Sequence, residues 1–201
     1  MNDIKPTPKK HVSILVLIVA TCILILVGVM AYRKPDSRHT TVAPPDINTI
    51  DRLFYDMGVQ KIPSVVPPGD ILLKDVDGNR VRLSDLKGNI VFLNFWATWC
   101  PGCLIEMPSM EKLHNRFKDR DFVMVAISMQ EPAVRVKQFL IQNKLSFITL
   151  LDTDGHVGSR FGAFSIPTTY ILDRDGGVIG KAVGSRDWHS KEAISLVEHL
   201  I

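Results

Sequence analysis

Apolar and polar positions divide this chain into a long uncharged run, a polar stretch and a patterned remainder. Val12 to Tyr32 contains no charged residue and is almost wholly apolar. As a helix rising about 1.5 Å per residue it spans about 30 Å, the thickness of a bilayer core. Residues 33–46 are polar, contain Pro35, Pro44 and Pro45, and read as a tether. The rhythm then changes. Ile50, Leu53, Phe54 and Met57 recur at helical spacing, which predicts a helix over Asn48–Met57 stopped by Gly58. Pro63, Pro67 and Pro68 break the chain after it.

Ile71–Lys74 and Val81–Leu83 flank the turn Asp75–Asn79 and read as a hairpin, with a single turn at Ser84–Gly88. Ile90–Phe95 is an apolar run that includes Asn94, and it reads as a buried strand. A helix follows from Cys100 to about Phe117, with Leu104, Met107, Met110, Leu113 and Phe117 on one face and a kink expected at Pro108. Phe122–Ser128 and Phe147–Leu151 read as strands separated by a helix over Val134–Asn143. A short helical piece, His156–Phe161, comes next. Thr168–Leu172 and Gly177–Val183 form a hairpin through Asp173–Gly176, and Ser190–Leu200 closes as an amphipathic helix. The plan is α/β: a thioredoxin-like central mixed sheet flanked by helices, preceded by one N-terminal transmembrane helix. It divides the chain into a tail (1–11), an anchor (12–32), a linker (33–46) and one domain (47–201).

Charge sharpens the anchor. Six basic residues and two acidic ones lie in residues 1–40, so that part is +4 in a chain of net charge +3, and the rest is −1. The basicity flanks the apolar run, and nothing in it points to nucleic acid. Three basic residues stand on each side (Lys5, Lys9, Lys10; Arg33, Lys34, Arg38), so charge does not orient the anchor. The run is longer than the apolar core of a cleaved signal, and Val29-Met30-Ala31 only weakly resembles a cleavage site, which favours an uncleaved anchor. Cys22 lies in mid-span as a small apolar filler.

The chemistry is concentrated at Trp99-Cys100-Pro101-Gly102-Cys103. Two thiols three positions apart, where a strand turns into a helix, are the layout of a redox dithiol. Pro101 suits the first helical position, where a missing N–H costs nothing. The helix N-terminus offers unsatisfied N–H groups and partial positive charge, which stabilise a thiolate at Cys100. The other reading of the pair is half of a zinc site. Zinc takes about four ligands. The third cysteine lies in the apolar run, and His114, His156 and His189 lack ligand spacing to the pair. A redox domain on a membrane is most useful where disulfides persist, outside the cytoplasm.

Phe95-Trp96-Ala97-Thr98-Trp99-Cys100-Pro101-Gly102-Cys103, Glu106-Met107-Pro108 and Ile166-Pro167-Thr168-Thr169 resemble the TlpA/ResA-like branch of thioredoxin-fold thiol–disulfide oxidoreductases. The likeness runs from about Pro67 to Ile201. It implies a single-pass protein of the cytoplasmic membrane with its catalytic domain on the periplasmic or extracytoplasmic side. The implied activity is reduction of protein disulfides, apocytochrome c among them, in cytochrome c maturation. It makes Cys100 the exposed nucleophile and Cys103 the resolving thiol, with a membrane thiol-reductant protein restoring the pair. No metal or organic cofactor is implied.

Glu106, one helical turn after Cys103, is implied to tune proton transfer; the other reading is a surface glutamate near a helix start. Asn94 stands where cytosolic thioredoxins usually carry aspartate, and it cannot titrate. The resemblance makes the Ile166–Pro167 bond cis, in a loop facing the dithiol. Trp99, Pro101, Gly102, Ile166 and Pro167 then form the surface that meets substrate. Trp96 reads as core, and Phe161 and Phe164 as packing. The family often has Glu-Pro or Pro-Pro between the cysteines. Pro101-Gly102 departs from that and leaves the direction of electron flow open. Competing readings are a general oxidant or isomerase of secreted proteins, a thiol peroxidase and a copper(I) carrier. The peroxidase pattern Thr-x-x-Cys is missing, since Thr98 lies two residues before Cys100.

Overall fold

A computed structural model of the chain describes residues 49–65 and 70–201. The tail, the apolar run 12–32, the linker and Pro67 and Pro68 lie outside the described residues. Among the described residues no helix is long and apolar enough to cross a membrane.

Among the described residues eight strands form one mixed sheet in the order β1-β8-β7-β4-β5-β6-β2-β3. They are β1 (Gln60–Val65), β2 (Leu72–Asp75), β3 (Arg80–Arg82), β4 (Ile90–Trp96), β5 (Phe122–Met129), β6 (Ile148–Asp152), β7 (Thr168–Leu172) and β8 (Val178–Val183). The helices are α1 (Thr49–Asp56), α2 (Pro101–Phe117), α3 (Ala133–Asn143), α4 (His156–Phe161) and α5 (Lys191–Leu200), with a 3-10 turn at Leu83–Leu86. β4 is buried along its whole length because it lies between β5 and β7 and is covered on both faces, which is why it reads as an apolar run broken only by Asn94.

Alternation along β4 sorts the core. Ile90, Phe92 and Trp96 pack against α1, α2, α3 and α5, with Phe92 edge-on to Trp188. Val91, Leu93 and Phe95 pack on the opposite face with Val157 of α4, Tyr170 and Leu172. Asn94 therefore points to the α2 side, an amide in an apolar layer. β4 and β5 are parallel and connected through α2; β4 and β7 are antiparallel, with Asn94 opposite Thr169.

Among the described residues the expected elements are present with two differences. The proline-broken stretch after α1 is a strand. β1 pairs antiparallel with β8 at the sheet edge, and its register shifts between Lys61 and Val65, around Pro63. An edge strand with an irregularity is where a sheet tolerates a residue that cannot donate. The β2–β3 hairpin also does more than pair with itself, since β2 extends the sheet by pairing with β6. Close packing of α1 on β8 depends on Gly180. A Cβ there would lie 2.6 Å from the Phe54 ring.

Candidate functional site

The end of β4 delivers the chain to the N-terminus of α2. Cys100 is the N-cap residue, extended at φ −91° and ψ 106°, and Pro101 occupies the first turn. The Cys103 main-chain N–H donates to Cys100 Sγ at 3.2 Å, so the sulfur takes the place of a capping oxygen. Cys100 and Cys103 form a disulfide across Cα atoms 5.3 Å apart. Cys103 has no exposed surface and Cys100 retains 5 %. The expected order of exposure is present, but the expected open sulfur is not. Its partner sulfur and the loop before β7 cover it, and Cys100 Sγ lies 3.6 Å from Ile166 O.

That loop contains a cis Ile166–Pro167 bond, as the resemblance implied. Pro167 lies over the dithiol turn: its Cδ is 3.4 Å from where a Cβ on Gly102 would stand. Pro167 O accepts from Gly184 N at 2.8 Å, joining the loop to the end of β8. Trp99 is 63 % exposed beside Cys100, while Trp96 is fully buried against Phe139. Phe164 is a correction. It reads as packing in the sequence, yet it is 85 % exposed two residues before Ile166. Phe161 does pack, against Phe95 and Tyr170.

Glu106 sits beneath the disulfide on the first turns of α2 with 1 % exposure. A surface position is excluded. Oε1 accepts from Asn94 Nδ2 at 2.8 Å. Oε2 accepts from the Trp188 indole Nε1 at 3.0 Å and from Arg186 N at 3.2 Å. Burial disfavours the carboxylate and pushes its pKa up to about 7. The bonds from Trp188, Asn94 and Arg186 and the Arg186 charge pull the other way without cancelling it. Asn94 Nδ2 also donates to Thr169 Oγ1 at 2.9 Å, while Asn94 Oδ1 is buried with no hydrogen-bond partner.

A second buried carboxylate, Glu131, lies on the other side of the turn with 3 % exposure. It accepts from Thr98 N at 2.7 Å, from the Thr98 hydroxyl and from Ser128 Oγ at 3.1 Å, so it braces Thr98, two residues ahead of Cys100. Sequence reasoning found the dithiol, Glu106 and the cis-proline loop. It missed Trp188, Arg186 and Glu131, whose approach comes from the fold. A buried-type residue such as Trp188 in a polar loop was the one available signal. Among the described residues no group of three or more His, Cys, Asp or Glu is placed to hold a metal ion.

The site can exchange a disulfide: a capped sulfur at a helix start, a second sulfur behind it, and a proton-binding carboxyl one turn on. Known proteins agree with that chemistry. Residues 65–181 match the model of the AhpC/TSA family. The thiol-disulfide oxidoreductase ResA of Bacillus anthracis is 34 % identical over 133 residues, which is 66 % of this chain and 76 % of that protein. Among solved structures, a thiol:disulfide interchange protein of the thioredoxin family from Chlorobium tepidum superposes with a TM-score of 0.59 at 26 % identity. It covers 70 % of this chain and 99 % of that one. StoA from Bacillus subtilis superposes with a TM-score of 0.56 at 26 % identity over 68 % of this chain and 98 % of StoA.

Proposed function

We propose that this chain, which belongs to the AhpC/TSA family and is a thiol–disulfide oxidoreductase of the ResA type, is a membrane-anchored reductase of protein disulfides working through Cys100 and Cys103. The observation that supports this most is the placement of the disulfide. Cys100 caps a helix, beside a cis-proline loop and above a buried carboxyl.

In the reduced form, the Cys100 thiolate attacks one sulfur of a client disulfide. The client's other sulfur leaves as a thiolate and a mixed disulfide forms. Cys103 then gives up its proton and attacks Cys100 Sγ, releasing the client's second thiol. Two electrons pass to the client, and the Cys100–Cys103 disulfide remains. Glu106 takes the Cys103 proton. Its pKa near neutrality lets it accept a proton at one pH and return it at almost the same one. Trp99, Pro101, Gly102, Ile166 and Pro167 meet the client, whose extended main chain pairs with the loop before β7. Phe164 adds apolar surface to the same loop.

Residues 12–32 anchor the chain in the cytoplasmic membrane with the domain on the extracytoplasmic side. A membrane thiol-reductant protein recharges the dithiol, no cofactor is required, and the client is a disulfide-bearing protein such as apocytochrome c. The test is trapping. In cells, a Cys103→Ser variant is expected to accumulate client proteins joined to Cys100, and Cys100→Ser to trap none and to lose exchange activity on a model protein disulfide. Retention of full exchange activity by Cys100→Ser contradicts the mechanism.

A further inference from the structure

The segment between β8 and α5 has no regular structure, yet it supplies two of the three N–H donors on Glu106, the Arg186 main chain and the Trp188 indole. A free loop would not hold donors in place, and this one is fastened on two sides. Toward α2, Trp188 N donates to Ser109 Oγ at 3.0 Å, and that hydroxyl donates to Glu106 O at 2.7 Å. Toward α1, the Arg186 side chain uses all three guanidinium nitrogens on main-chain carbonyls. Nε donates to Met57 O at 2.9 Å and Nη2 to Gly58 O at 2.7 Å. Nη1 donates to Gly184 O at 2.7 Å and Val183 O at 3.0 Å.

We propose that Arg186 is a positioning residue: its guanidinium fastens the 184–188 loop to the end of α1 and so holds its own N–H and the Trp188 indole on Glu106 Oε2. N–H donors aimed at a carboxylate favour the ionised form. Loosening them leaves burial less opposed, and Glu106 then binds its proton more tightly. The groups facing the carboxyl make this readable. Asn94 from β4 and Thr169, behind it on β7, do not ionise. Cys103, one turn earlier on α2, is tied in the disulfide. Arg186 is the charged group from the loop side. Lysine does not replace the side chain, because a point donor cannot reach carbonyls on both sides as the planar fork does. α1 thus bears on the chemistry through one side chain.

The consequence for catalysis rests on Glu106 taking the Cys103 proton, but the effect on Glu106 itself does not. The experiment titrates the infrared carboxyl band of Glu106 in the oxidised full chain in detergent micelles, assigned by its loss in Glu106→Gln. Parent, R186K and R186Q are compared alongside the pH profile of disulfide exchange. In R186Q the proton affinity of Glu106 is expected to rise at least about threefold, equivalent to about half a pH unit. In R186K the rise is smaller, and the exchange profile moves in the same direction. An unchanged midpoint in a variant whose circular dichroism matches the parent overturns the proposal. Should R186Q not fold, R186K alone decides it on the same criterion. A raised band midpoint with an unmoved exchange profile supports the positioning and overturns the proton-accepting role of Glu106.

Discussion

Glu106 and Glu131 are both carboxylates with almost no contact with solvent, on two sides of one dithiol turn. Their donors differ. Those of Glu131 come from Thr98, two residues past β4, and from Ser128, near the end of the adjacent parallel strand β5, so it staples together backbone that is already close. Those of Glu106 come from β4 and from a loop 80 residues further along the chain, and they meet it one turn after Cys103. Burial alone therefore does not decide what a carboxyl does. In the proposed mechanism what separates the two is the neighbour, since Glu106 lies one turn from a thiol that must lose a proton, whereas Glu131 faces donors that keep theirs.

The comparison breaks first at Glu131. Glu131→Leu leaves the Thr98 N–H and two hydroxyls without their acceptor. An orphaned donor costs about 1–3 kcal/mol, and hydroxyls recover part of it by turning, so a loss of about 4 kcal/mol in unfolding free energy is expected by denaturant titration. The pH midpoint of exchange in the folded fraction is expected to stay where it is.

Glu106→Gln is expected to act in the opposite sense, through pH. Its folded pKa of about 7 lies above the 4.5 of an unperturbed glutamate. Between those values the folded protein binds more protons than the unfolded one, so the parent loses stability as pH rises through that window. Removing the ionisable group removes the loss. Relative to the parent, the variant is expected to gain about 3 kcal/mol on going from acid to about pH 8, measured as the difference between two denaturation series. A constant difference across pH would erase the distinction between the two carboxyls.

Smaller changes sharpen it. Thr169→Val removes a partner of the Asn94 amide, not of Glu106 itself, and is expected to cost about 1 kcal/mol of stability. Trp99→Ala is expected to leave stability within about 0.5 kcal/mol, because the side chain is mostly in solvent. It is expected to raise the KM for a protein disulfide more than it lowers kcat.

Local signals made α2 and its cap readable: Pro101 after a cysteine, five apolar residues at helical spacing, and a strongly apolar strand before it. β1 was unreadable because Pro63 signals a break, and only the position of the strand at a sheet edge makes that proline acceptable. Phe164 looked like core because aromatic residues usually are. Nothing local says that its loop faces outward over the dithiol. Glu106 was legible by its distance from Cys103. Its cage was not, because Arg186 and Trp188 reach it only where the loop after β8 folds back onto α2. Asn94 was legible as a residue that cannot titrate, while its role as a donor to Glu106 depends on the alternation of β4.

The most direct measurement follows resolution of a preformed mixed disulfide at Cys100 by Cys103, in the parent and in Glu106→Gln, across pH. The parent is expected to show a step in rate near pH 7 that the glutamine variant lacks. Identical profiles in the two proteins would contradict the account, because the proton of Cys103 would then leave by another route.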